Sequence, residues 1–139
     1  MKTFRLPLLA LALSTLSLGG CQKDSPKPTT TVTQSQQLTT GSWRLDQIKE
    51  GGQVTGTGSG IKDQYSLSFR TDGSFTQKTL ADNSTYPGTW ILYNTQLQLT
   101  DNKGSSNDVT LTTLSATELR YTFINKTGQV EERMFSAQP

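Results

Sequence analysis

Histidine is absent from this 139-residue chain, and cysteine occurs once, at Cys21. The first absence removes the commonest general base and the commonest metal ligand. A Ser-His-Asp site and a His-ligated zinc site are therefore excluded. The second leaves no partner for an internal disulfide and no cysteine cluster for a metal. An excess of charge is missing as well. The formal charge is +2, but Lys2 and Arg5 are the only ionisable residues in the first twenty, and beyond them 11 basic residues face 11 acidic ones. A neutral surface with interspersed charges has no electrostatic footprint for nucleic acid. No apolar run approaches the ~20 residues that cross a bilayer. Carboxylate pairs are lacking too. Asp72, Asp82 and Asp101 sit in turn sequences, where such side chains bond local backbone. Glu131 and Glu132 are neighbours on a predicted strand and would point to opposite faces, which a two-carboxylate mechanism does not allow. No enzymatic activity, cofactor or metal is expected.

What the chain does have begins at its amino terminus. Lys2 and Arg5 precede an apolar run carrying Leu6, Leu8, Leu9, Leu11, Leu13, Leu16 and Leu18. This is the charged and apolar order of a secretory signal peptide. The sequence Leu18-Gly19-Gly20-Cys21 resembles a lipobox, the recognition motif of the lipoprotein signal peptidase. The resemblance implies cleavage after Gly20 and attachment of diacylglycerol to the Cys21 thiol, and in lipoproteins the new amino terminus is often acylated too. Two or more acyl chains hold a protein stably on a membrane where one does not. The expectation is a signal peptide over residues 1–20 and a membrane partner reached through lipid on Cys21. Gln22 stands where an inner-membrane retention signal would carry Asp, so the expected location is the outer membrane of the cell envelope. Lys23-Asp24 after the cysteine resembles a surface-export signal, with Ser25 where a second acid is usual.

Residues 21–40 are rich in Thr, Gln, Ser, Pro and Lys, contain no aromatic residue, and offer only Val32 and Leu38 as large apolar side chains. Such a stretch buries too little to offset its ordering entropy. The expectation is a disordered tether, holding the domain ~25 Å from the anchor as a coil and ~60 Å when extended.

From Gly41 to Pro139 the hydrophobic period is two. Trp43, Leu45 and Gln47 alternate with Arg44, Asp46 and Ile48, and Tyr65, Leu67 and Phe69 alternate with Ser66, Ser68 and Arg70. Asp72-Gly73 is a strong hairpin signal. Phe75, then Trp90 and Leu92, Leu97 and Leu99, Val109 and Leu111, and Leu119, Tyr121 and Phe123 mark further strands, with a last one near residues 129–136. About eight short strands joined by hairpin-length turns predict an all-β, antiparallel up-and-down meander barrel. The Gly-rich residues 51–60 lack the Gly-Lys-[Ser/Thr] and the following helix of a phosphate loop. They are expected to form a mobile loop between the first two strands, either a connector or a lid.

Several segments together resemble the lipocalin-like domains of bacterial lipoproteins. Gly41-Ser42-Trp43 is similar to the Gly-x-Trp that opens the first lipocalin strand. Leu67-Ser68-Phe69-Arg70-Thr71-Asp72-Gly73-Ser74-Phe75 resembles a characteristic hairpin of those domains, Gly88-Thr89-Trp90 with Leu97-Gln98-Leu99 resembles their central segment, and Ser115 to Leu119 their closing region. The resemblance implies a barrel open at one end. It also implies a late-strand arginine across the first tryptophan, for which Arg120 and Arg133 are candidates.

An aromatic inward set follows from the alternation. Trp43, Tyr65, Phe69, Trp90 and Tyr121, with Phe75 and Phe123 beside them, either line a pocket for a small apolar or ring-bearing ligand or fill a narrow barrel. Two functions fit: a lipid-anchored envelope lipoprotein whose barrel binds a small apolar ligand, or a ligand-free interaction module that docks on an envelope protein or polysaccharide through the barrel exterior. On the last strand either Val130, Glu132 and Met134 or Glu131, Arg133 and Phe135 face inward, and each choice aims a charge into the barrel or at its mouth.

Overall fold

Strand-forming residues alternate with polar ones through most of the chain, and the computed structural model, which describes residues 32–139, turns that alternation into a closed sheet. A short helix α1 (Gln34–Leu38) is followed by β1 (Ser42–Glu50), β2 (Gln53–Thr57), β3 (Tyr65–Phe69), β4 (Ser74–Thr79), β5 (Thr85–Tyr93), β6 (Gln96–Asp101), β7 (Ser106–Leu114), β8 (Glu118–Ile124) and β9 (Val130–Gln138). All neighbours are antiparallel. The order is β2-β1-β3-β4-β5-β6-β7-β8-β9, and β1 also pairs with β9 from Ser42↔Gln138 to Glu50↔Glu131. Eight strands therefore close an up-and-down barrel, and β2 is an extra strand. Signal peptide, lipobox and Cys21 lie outside the described residues.

The inward positions are those the alternation marks. Tyr65, Leu67 and Phe69 are buried while Ser66 and Ser68 between them are not. Trp43, Leu45, Leu97, Val109, Leu111, Leu119, Tyr121 and Phe135 complete the core, with Trp90, Leu92, Leu99 and Phe123 packed on it. Register shifts interrupt strict alternation on β1 and, between Leu111 and Thr113, on β7. On β1 the register shifts between Leu45, opposite Phe135, and Gln47, opposite Met134. Asp46 is the unopposed residue of this bulge, and a bulge resets which side chains face in. Ile48, and not Gln47, joins the core.

The stretch expected to be disordered through Thr40 is ordered over Gln34–Leu38. Helix α1 forms inside it because Thr33 and Gln36 make a capping box: Thr33 Oγ1 accepts from the Gln36 backbone amide at 3.2 Å and Gln36 Oε1 from the Thr33 amide at 2.9 Å. Leu38 is fully buried, and the Trp43 indole donates to the Leu38 carbonyl at 2.9 Å. A polar segment with one apolar side chain thus acquires order by docking that side chain against the barrel. The helix covers the barrel end at which β1 begins.

The Gly-rich residues are likewise more ordered than expected. Gly51 and Gly52 have φ of +55° and +83° and join β1 to β2 between the pair Glu50↔Gln53. Positive φ at both positions is the requirement of a tight type I′ hairpin. A single 3-10 turn over Gly58–Gly60 then leads to Ile61, which is buried. Because β2 occupies the edge of β1 from Gln47 onward, β3 pairs only with Ser42–Arg44. Gln64 bridges the resulting split by donating its side-chain amide to the Leu45 carbonyl at 2.6 Å.

Two glycines of the recognised motifs are needed for space. A Cβ on Gly41 would stand 2.8 Å from the Gln138 carbonyl oxygen, and one on Gly88 would stand 2.4 Å from the Thr100 carbonyl and 2.5 Å from the Phe75 ring. Gly88 lies opposite Phe75 in the β4–β5 ladder, so the ring covers the glycine.

Candidate functional site

The two ends of the barrel differ. The end covered by α1 carries the short β3–β4, β5–β6 and β7–β8 turns. The opposite end, where β1, β4, β6 and β8 finish, carries two adjoining cavities. An inner one of about 240 Å³ is lined by Tyr65, Leu67, Phe75, Leu99, Tyr121 and Arg133 among others. An outer one of about 520 Å³ is lined by Asn107, Phe123, Lys126, Glu131 and Arg133 among others. Arg133 borders both.

The register places Arg133 there. Phe135 is buried opposite Leu45 and Leu119, so the residues two and four before it on β9, Arg133 and Glu131, share its inward face. This settles the orientation of the last strand. Glu132 lies on the outer face and meets Lys49 at 3.4 Å. Arg133 Nε donates to Glu131 Oε1 at 2.7 Å, and Nη1 donates to the Tyr65 hydroxyl at 2.6 Å. The Tyr65 and Tyr121 hydroxyls are hydrogen-bonded at 3.2 Å. The guanidinium also stacks on Phe123, 5.1 Å from the ring centre, and on Tyr65 at 5.7 Å. Burial, then the neighbouring Tyr65, push the Tyr121 phenol well above its ordinary pKa. Burial works against the charge on Arg133, but the two tyrosines and Glu131 outweigh it, and its pKa lies above the ordinary arginine value. The cluster joins the Arg133–Glu131 ion pair to the hydrogen-bonded hydroxyls of Tyr65 and Tyr121.

The five aromatic residues expected to line a pocket are not brought to one place. Tyr65 and Tyr121 meet at the inner cavity and pack on Phe135 at ring separations of 5.9 and 5.2 Å. Phe69 and Trp90 contact each other edge to face at 5.8 Å, and the Trp90 indole donates to the Arg70 carbonyl at 3.0 Å, in the turn at the far end. Trp43 is buried beneath Leu38. Phe69 and Trp90 pack together in the lower barrel, Trp43 borders a separate cavity of about 390 Å³ at the α1 end, and none of the three borders the inner cavity. The arginine contact implied by the lipocalin resemblance is not made. Among the described residues the cation–π partners of Arg133 are Phe123 and Tyr65, and Arg120 is ion-paired with Glu118. Arg133 and Glu131 are the additions that strand alternation alone could not single out, since either face of β9 carried a charge; Phe123, in the expected inward set, joins them at the outer cavity.

The model of the lipocalin-like domain family matches residues 39–121. This chain belongs to the lipocalin-like domain family. Among solved structures, the lipocalin-like barrel resembles a lipocalin-like protein from Bacteroides uniformis with 18% identity and a TM-score of 0.53, over 73% of this chain and 99% of that one. It also resembles an uncharacterized protein from Bacteroides eggerthii with 12% identity and a TM-score of 0.54, over 70% of this chain and 98% of that one. At these identities the likeness is one of fold. No curated protein matches the chain. The missing arginine–tryptophan contact fits kinship with this broader lipocalin-like group.

Proposed function

We propose that this protein is a lipid-anchored envelope lipoprotein whose lipocalin-like barrel takes a small apolar ligand through its open end. The observation that carries the binding reading is the inner cavity of about 240 Å³, where Tyr65, Leu67, Phe75, Leu99 and Tyr121 meet the polar side chains of Gln77, Asp101, Ser105, Ser106, Asn107 and Arg133. Concave apolar sites with a few convergent polar groups are what small-molecule binding requires. The acid on its wall, Asp101, is held by its own turn, where its carboxylate accepts from the Lys103 and Ser105 amides at 2.9 and 2.8 Å. The site is smaller than the aromatic sequence pattern suggested, because Trp43, Phe69 and Trp90 do not border it. The anchor reading rests on Leu18-Gly19-Gly20-Cys21. Native mass spectrometry of the full chain, isolated from membranes, tests the binding reading. A retained apolar small molecule that is lost when Leu99→Trp fills the cavity supports it. A chain that retains nothing from membrane extract, in either form, overturns it in favour of a module that acts through its exterior.

A further inference from the structure

We infer that the open-end site selects ligands whose polar group is a neutral hydrogen-bond acceptor, such as a ketone, ester or amide carbonyl, over ligands that carry a carboxylate. The inference rests on the binding reading above and adds the chemical class of the ligand head.

A guanidinium has five N–H donors in a fixed plane and no acceptor. Two of those of Arg133 have acceptors among the described residues, Glu131 through Nε and Tyr65 through Nη1. Three remain, on a side chain that borders both cavities. The site therefore offers donors, and its ligand should bring an acceptor.

An arginine in an apolar pocket ordinarily suggests a carboxylate, but the charges here argue otherwise. The Glu131 carboxylate is 2.7 Å from the guanidinium and only 9% exposed, so the charge of Arg133 is already cancelled at contact distance. A second carboxylate would bring an uncompensated negative charge into a low-dielectric site, which is costly. The remaining charges do not relieve it. Lys126 borders the outer cavity, Asp101 borders the inner one, and Glu50 lies opposite Glu131 in the β1–β9 ladder, on the same face. Three carboxylates against two cations give no surplus of positive charge to receive an anion. A carbonyl oxygen, by contrast, can accept from the spare N–H groups and adds no charge. Glu131 is thus a specificity residue: it converts a cationic site into a neutral donor site.

The test compares methyl decanoate, decanoate and decane on the full chain by calorimetric titration at neutral pH, in the native sequence and in Glu131→Gln and Arg133→Met. The native chain is expected to bind methyl decanoate at least tenfold more tightly than decanoate. Glu131→Gln leaves Arg133 uncompensated, and decanoate should gain about tenfold while the ester changes little. Arg133→Met removes the donors, and the preference of ester over decane should vanish. Should Glu131→Gln fail to fold, the native ester-to-acid ratio and the Arg133→Met comparison still decide. Binding of all three probes without discrimination, or of decanoate as tightly as the ester, overturns the head-group inference alone. Binding of none of them overturns the barrel-binding reading and this inference with it.

Discussion

Single residues in this barrel are constrained for reasons that differ sharply from place to place. Gly88 is held by contact: the Phe75 ring and the Thr100 carbonyl occupy the space a side chain would take. Adding a methyl group where neighbours cannot yield is overpacking. Gly88→Ala is expected to lower stability by about 2 kcal/mol, read as a lower urea midpoint with an unchanged slope. The turn acids are held by hydrogen bonds instead. Asp72 Oδ1 accepts from the Ser74 hydroxyl and amide at 2.6 and 2.9 Å, and Asp82 binds Ser84 in the same way. These bonds to Ser74 and Ser84 lower both carboxyl pKa values below the ordinary aspartate range. Groups whose folded pKa is depressed stabilise the fold above the unfolded pKa and lose that contribution as pH falls through the folded value. Stability should therefore decline on acidification below about pH 4. The double variant Asp72→Asn with Asp82→Asn keeps an acceptor oxygen but does not titrate. Its urea midpoint should vary less between pH 5 and pH 3 than that of the native chain, and an equal decline would show that these turns are not the acid-sensitive element.

At the scale of elements, α1 is the piece whose removal is most informative. Its five residues are too few to be stable alone, so it exists because Leu38 is buried and Trp43 bonds its carbonyl. Leu38→Ala should cost about 3 kcal/mol and shift tryptophan emission to the red as water reaches Trp43. An unchanged spectrum would mean that the barrel end closes without the helix. The capping box that starts the helix, Thr33 with Gln36, is a signal present in the sequence but overshadowed by the polar composition around it. Much else was legible. Period-two runs located all eight barrel strands, and Asp72-Gly73 falls in a tight turn, with Gly73 at positive φ. Gly51-Gly52 was equally readable as a hairpin turn, but the surrounding glycines concealed it. The bulge at Asp46 was not legible. A register shift is decided by the partner strand, and nothing local to Leu45-Asp46-Gln47 announces it. The inward face of β9 was hidden for a related reason. Both faces carry charge, and only the pairing of Phe135 with Leu45 and Leu119 orients the strand. The candidate site inherited that ambiguity, so its two tyrosines were named from alternation while Arg133 and Glu131 could not be assigned to it.

For the whole molecule, the expected division of labour is an acylated amino terminus that fixes location and a barrel that binds. Cys21→Ala should abolish incorporation of labelled fatty acid and release the protein from the membrane fraction. Label that persists in this variant would refute the lipobox reading. Because the barrel meets its proposed ligand at the end away from α1, the same variant should bind methyl decanoate as the native chain does, which separates attachment from recognition.

The closure of the sheet has a kinetic consequence. β1 is paired along its whole length with β9, so the first strand of the barrel acquires its principal partner only when the last has been made. Folding dominated by such non-local pairing is slow, on the order of milliseconds to seconds. A chain emerging from the ribosome cannot complete its barrel until β9 is available. Deleting the end of β9 should therefore leave a collapsed but unclosed sheet rather than a smaller barrel. Stopped-flow refolding should show one slow phase in the intact chain and lose it in the truncated one.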